Sequence, residues 1–206
     1  VDRSRGLGDV YKRQGLCIVC GAVISTVAVS LRDQQEQNVI FDQQSKIIDA
    51  ARLLEVYPSS QEALASIEEV VVNLNDGQPS GIPPQQYDLD SILRDPSQHT
   101  VLNGSEDIAM ISVRENLSKV YIEYRNNELK TLILPVRGYG LWGTLYGYLA
   151  LDSDLNTIVG LEFYKHKETP GLGAEVDNPN WKKLWNGKKV FDENGLVQIS
   201  VIKGFS

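Results

Sequence analysis

The 206-residue sequence has two cysteines, two histidines and a deficit of positive charge. Each shortage excludes a class of chemistry. Cys17 and Cys20 form a C-x-x-C, but both fall inside an apolar run, where they read as small packing residues rather than as a redox pair. No cysteine follows Cys20, so the remainder has neither a disulfide framework nor a thiolate metal site. His99 and His166 are the only histidines, which excludes a His-rich metal site. A net charge of −7 argues against a nucleic-acid partner, because binding a phosphate backbone needs a basic surface. Also missing are a G-x-G-x-x-G opening a βαβ unit, a P-loop, H-E-x-x-H and G-x-S-x-G. The pair Glu68-Glu69 reads as the solvated face of a helix, and no nucleophile stands beside a base.

What is present begins with "GLCIVCGAVISTVAVSL", residues 15–31, a run without charge. As a helix it covers about 25 Å, the short end of a bilayer span. A signal-peptide core or a buried helix has a similar composition; the run is read as an uncleaved transmembrane anchor. Residues 1–14 are polar and glycine-punctuated, and read as a non-native or cytoplasmic tail. Their four basic and two acidic side chains would keep the N-terminus in the cytoplasm and place the following domain outside. At the other end "VIKGFS" stops within a strand-like run, so the chain is read as continuing past Ser206.

The remaining composition, with 42% hydrophobic and 23% charged residues overall, is that of a folded protein. From Asp33 to Tyr57, Ile40, Ile47, Ile48, Ala51 and Leu54 recur with helical spacing, and Pro58 is the expected stop. Ser59 and Glu62 predict a capping box for a second helix through Glu69. "VVVNL" (70–74) and a turn at Asp76-Gly77 follow, and residues 78–105 read as an irregular surface excursion. Residues 32–115 are thus a helical and irregular part, and residues 116–206 a β-rich part.

In that second part the period becomes two. "SKVYIEYR" (118–125) alternates Val120, Ile122 and Tyr124 with Lys119, Tyr121 and Glu123. It is followed by a turn at Asn126-Asn127 and a partner strand over 129–136. Residues 144–151 and 156–164 form a second pair, and 196–202 a fifth strand. Short turns between consecutive strands predict an antiparallel meander in an α+β fold. Asn178-Pro179 predicts a short helix stopping at Gly187, with Trp181 and Trp185 on one face, packing it onto the sheet.

Two glycine-marked connections stand out, "RGYGLWGTLYG" (137–147) and "KHKETPGLGAEV" (165–176). Each follows a strand end, and in a meander such loops can meet on one rim. Glycine permits close backbone approach, Leu141, Trp142 and Leu172 supply apolar walls, and Glu168 and Thr169 supply polar groups. Two ordinary glycine turns account for the same residues, and composition does not choose. His166 reads as a solvent-exposed loop residue.

"LRDQQ" (31–35), "DQQSKI" (42–47), "LPVRGYGLWGTLYGYLAL" (134–151), "ETPGLGAEVDNPNWKKLW" (168–185) and "GKKVFDENG" (187–195) together resemble a known family. It is the family of the C subunits of sodium-translocating NADH:quinone reductases, whose FMN-binding domain is shared with the G subunit of the Rnf complex. The resemblance runs from about residue 15 to the end, and "AEVDNPNWKKLW" leans to the sodium pump. It implies a single-pass subunit of the bacterial inner membrane whose antiparallel-sheet domain is periplasmic. That subunit relays electrons from NADH towards ubiquinone within a six-subunit complex that exports sodium, and is not active alone. The resemblance further implies FMN, joined through its phosphate to a threonine in an S-G-A-T-type motif by a flavin transferase.

Carried onto this chain, Gly140, Leu141 and Trp142 would lie near the isoalloxazine. Glu168, Thr169, Gly171, Leu172 and Gly173 would line its other side, and Lys203 would offset the phosphate charge. No S-G-A-T occurs here, so the attachment threonine is expected after Ser206. The alternatives are an Rnf-type G subunit and an anchored flavin-binding or assembly module without turnover.

Overall fold

A single helix, α1 (Arg3–Ala50), carries both the apolar run and the amphipathic stretch after it. The computed structural model describes residues 3–201. The chain divides after Asp42 into a helical arm and a domain. In the arm, the side chains of Leu16, Ile18, Val19, Val23 and Ile24 are more than half exposed. The helix is long and apolar enough to cross a membrane.

In the domain, α1 ends earlier than its periodicity suggests. Ala50 is its last residue, and Arg52 adopts a left-handed conformation (φ 53°) before a short 3₁₀ turn at Leu53–Glu55. Pro58 is therefore not the terminator. The stop serves packing: Ile47, Ile48, Ala50, Ala51 and Leu53 are all buried against the sheet. Helix α2 (Ser60–Ala65) begins as expected, with the Ser59 hydroxyl oxygen accepting from the Glu62 N–H at 3.2 Å. It stops at Ala65 and not at Glu69, because Ile67–Asn73 form strand β1. Glu68 and Glu69 belong to that strand, where Glu69 pairs with Lys119.

The excursion that follows is less irregular than its composition implies. It contains α3 (Leu89–Arg94), capped by the Asp88 carboxylate, and β2 (His99–Val101), which pairs with β3 (Val113–Glu115).

The main sheet combines β1 with β4 (Leu117–Arg125), β5 (Glu128–Tyr139), β6 (Thr144–Asp152) and β7 (Ile158–Lys165). The order is β1-β4-β5-β6-β7, antiparallel throughout. The expected meander is β4 to β7, and β1 adds to its open edge. Asn126 and Asn127 both take positive φ, as a tight hairpin requires.

The end of α1 covers one face, over Tyr121, Ile133, Tyr148 and Ala150. On the other, Leu151, Ile158 and Val190 gather Leu134, Leu149 and Trp185, the last from just beyond α4 (Pro179–Lys183). Trp185 thus packs onto the sheet, with Trp181 edge-on to it at 5.4 Å. Glu123, on the polar side of the β4 alternation, is fully buried. Its carboxylate accepts from Tyr57, Arg125 and Thr131 at 2.7–2.9 Å.

The expected strand at 196–202 is not a sheet strand among the described residues. Leu196 and Asn194 donate their N–H groups to the Asp192 carboxylate, and Val197 makes only an isolated bridge with Phe191. The Asp192–Gly195 turn folds this run back on the chain just before it, so it joins no sheet.

Gly160 on β7 faces the carbonyl of Ala50, and a methyl there would overlap that oxygen. Gly160→Ala is expected to push the last turn of α1 off the sheet and cost about 1–3 kcal/mol, the usual range for overpacking. Gly104→Ala, which meets open space, serves as the control and should stay within about 0.5 kcal/mol. Urea unfolding midpoints of the two variants check this.

Candidate functional site

The register of the meander decides where the two glycine-marked connections meet. Tyr139 at the end of β5 pairs with Thr144 at the start of β6, and Tyr146 of β6 pairs with Lys165 at the end of β7. The β5–β6 loop and the segment after β7 therefore leave the same end of the sheet. In the first, the Gly140 N–H donates to the Gly143 carbonyl at 2.8 Å, closing the loop around Leu141 and Trp142. In the second, the Thr169 carbonyl accepts from both Leu172 and Ala174 at 3.1 Å, and Gly171 supplies the positive φ of 74° that this turn needs.

Glu168 joins the two. Its side chain is buried, and its Oε1 accepts from the Trp142 N–H at 3.1 Å. A methyl at Gly140 would overlap Glu168 Oε1, and one at Gly173 would overlap Oε2. The Glu168 carboxylate fills the space at both missing side chains, joined at Gly140 by the Leu145 side chain. The same two loops carry three apolar side chains with little cover: Leu141 is 77% exposed, Trp142 62% and Leu172 72%. Exposed apolar groups on closed backbone turns, joined by a buried carboxylate, have the make-up of a small-ligand site.

Thr169 and Pro170 are at the turn, where Pro170 is exposed, and Lys203 lies outside the described residues. His166 is not the exposed loop residue its neighbours imply. Its side chain is 17% exposed, its Nε2 lies 2.7 Å from Asp177 Oδ2, and its Nδ1 accepts from the Glu168 N–H at 3.2 Å. Nδ1 at position i accepting from the N–H at i+2 is a local closure of the kind Asn and Asp side chains make. The H-x-E spacing was the available signal. A further segment reaches the rim without a sequence cue: the Ala109 carbonyl accepts from the Tyr139 N–H at 2.8 Å, placing exposed Ile108 and Met110 in the loop that docks there.

The model of the FMN-binding domain family matches residues 140–204, so its match opens on Gly140 and includes both rim segments. The C subunit of the Na(+)-translocating NADH-quinone reductase of Pseudomonas aeruginosa is 45% identical, over 92% of this chain and 74% of that protein. The chain belongs to the family of Na(+)-translocating NADH-quinone reductase C subunits. The Vibrio vulnificus member is 40% identical over 92% of this chain and 75% of its own length. Among solved structures, NqrC from Shewanella oneidensis superposes with a TM-score of 0.71 at 30% identity, covering 79% of this chain and 76% of that one. The C subunit from Parabacteroides distasonis gives 0.59 at 29% identity, covering 82% and 74%. The α+β domain is therefore that of the NqrC family, and the chain spans about three quarters of the length of these relatives.

Gly173→Ala tests the wedge directly, because the atoms nearest the added methyl all belong to Glu168. It is expected to cost about 1–3 kcal/mol alone and distinctly less in a Glu168→Gly background, which also removes the Glu168 Cβ that would lie 3.0 Å from the added methyl. Thermal melting of the two single variants and the double variant checks the non-additivity.

Proposed function

We propose that this chain is the FMN-carrying electron-relay subunit of a sodium-pumping NADH:quinone oxidoreductase, serving electron passage from NADH towards ubiquinone coupled to sodium export. The observation that carries the reading is the rim itself. Both of its segments lie inside the matched FMN-binding region, and it presents Leu141, Trp142 and Leu172 to solvent without cover. FMN supplies one-electron transfer when bound. The chain's part is to hold and orient the ring system and to set the charge around it.

In this reading Gly140, Leu141 and Trp142 border the ring on one side. Thr169, Gly171, Leu172 and Gly173 border it on the other, and Glu168 supports both from below. Leu141, Trp142 and Leu172 exclude water from the ring faces. The buried Glu168 carboxylate disfavours negative charge above it, which lowers the potential of a ring that gains charge on reduction. Lys203 offsets the phosphate. The phosphate is esterified to a threonine that we place after Ser206, installed by a flavin transferase. The chain sits in a six-subunit complex of the bacterial inner membrane, with α1 as its single span and the domain in the periplasm. The exposed apolar side chains of α1 and the basic residues before them support that orientation.

Co-expressing the full-length parent protein with a flavin transferase should give a band that fluoresces under ultraviolet light on a denaturing gel. Its mass should exceed the polypeptide by one FMN less one water. A dark band at the polypeptide mass would remove the covalent attachment from the proposal.

A further inference from the structure

We propose that His166 is a positioning residue for the flavin rim, fixing the turn that carries Glu168 and, through Glu168, the placement of Trp142. This inference rests on the functional reading above for its consequence, but its geometry stands apart from it. The imidazole makes two bonds of different kinds. Because Nδ1 accepts from the Glu168 N–H, the proton of the neutral ring must sit on Nε2, and that N–H then points at Asp177 Oδ2 2.7 Å away.

Asp177 closes the 3₁₀ turn Gly173–Asp177, whose first residue lies against Glu168 Oε2. The connections therefore form a ring. It runs from His166 to Asp177, back along the turn to Gly173, across to the Glu168 side chain, and through the Glu168 N–H to His166. The Glu168–Trp142 bond is the ring's outward link to the β5–β6 loop.

The charged neighbours are engaged elsewhere. Lys165 lies over the Tyr146 ring at 5.2 Å, and Lys167 lies along Gly143. Glu175 accepts from the Asn178 amide at 2.7 Å. Both imidazole nitrogens are thereby left to this ring of contacts. An alternative residue can reproduce half of the arrangement at most. Asn places an acceptor where Nδ1 is and satisfies the i+2 N–H, but falls short of Asp177. Gln reaches towards Asp177 with a donor, but gives up the short local acceptor.

The test uses the full-length protein and the variants His166→Asn, His166→Gln and His166→Ala, with two readouts. The first is the amide ¹H–¹⁵N resonances of Glu168 and Trp142 in the detergent-solubilised chain before flavin is attached. The second is the midpoint potential of this subunit's flavin in the assembled complex. His166→Ala and His166→Gln are expected to move both amide protons upfield, as their acceptors are lost, and to shift the potential upward as the Glu168 carboxylate leaves its place. His166→Asn is expected to restore the Glu168 amide and return the potential towards the parent value.

Unmoved Glu168 and Trp142 amides in His166→Ala would overturn the positioning role. Amides that move while the potential stays constant in all three variants would overturn its connection to the flavin. A parent complex with no flavin on this subunit would instead sink the functional reading, and the amide resonances would still decide whether His166 holds Glu168.

Discussion

The rim depends on one buried carboxylate. Glu168 lies under two backbone turns, one before strand β6 and one after β7, and it touches both where a side chain is missing, at Gly140 and Gly173. A carboxylate taken out of water needs donors or it becomes a liability. Here the Trp142 N–H supplies one, and that donor is itself a rim residue. Burial of Glu168 and closure of the β5–β6 loop are therefore one event. The two glycines have a steric purpose: they let the carboxylate approach two backbones at once. A bare residue in only one of the loops would leave the other backbone too far away.

The sheet supplies the frame on which this wedge acts. Glu162, on β7, receives Lys182 from α4 at 2.6 Å and Lys46 from the end of α1 at 3.4 Å, and its side chain is only 13% exposed. On the same strand Gly160 lets the Ala50 carbonyl rest on the sheet. Strand β7 thus binds the end of α1 and α4 before it turns into the segment that carries His166 and Glu168. The clamp at Glu162 and the wedge at Glu168 lie close together on one chain segment. Surface ion pairs contribute little, but a shared, largely buried acceptor with two lysines fixes geometry even where its net energy is small.

Much of this was legible from periodicity and punctuation. The alternation after residue 116, the Asn126-Asn127 turn and the Asn178-Pro179 cap follow from local chemistry, whereas the meeting of the two glycine loops follows from the strand register. Where sequence and structure differ, a tertiary contact overrides a local signal. Pro58 is a strong helix stop, yet α1 ends at Ala50, because Arg52 turns the chain so that Leu53 can be buried. Glu68 and Glu69 look like a solvated helix face until the open edge of β4 captures them as a strand. Residues 196–201 have strand composition, but the Asp192 turn folds them onto their own neighbours. Glu123 sits on the polar side of an alternating strand and is fully buried, because Tyr57, Arg125 and Thr131 converge on it from three places in the sequence. His166 differs from its expected role for the same reason: its partner Asp177 comes from the far side of a glycine turn that no spacing rule predicts.

The exposed apolar side chains of the rim carry a cost that the fold alone does not explain. Leu141, Trp142 and Leu172 lie in turns whose backbone hydrogen bonds are closed, so their exposure does not follow from an open or unfinished loop. Closing such turns with polar residues at their tips would cost less in water. Keeping apolar side chains there, on a support as constrained as the Glu168 wedge, fits the proposed flavin site, in which a ring system lies against them. The support then does more than hold the loops shut. In the proposed site, by fixing a carboxylate against both loops, it would tie the shape of the site to its electrostatics.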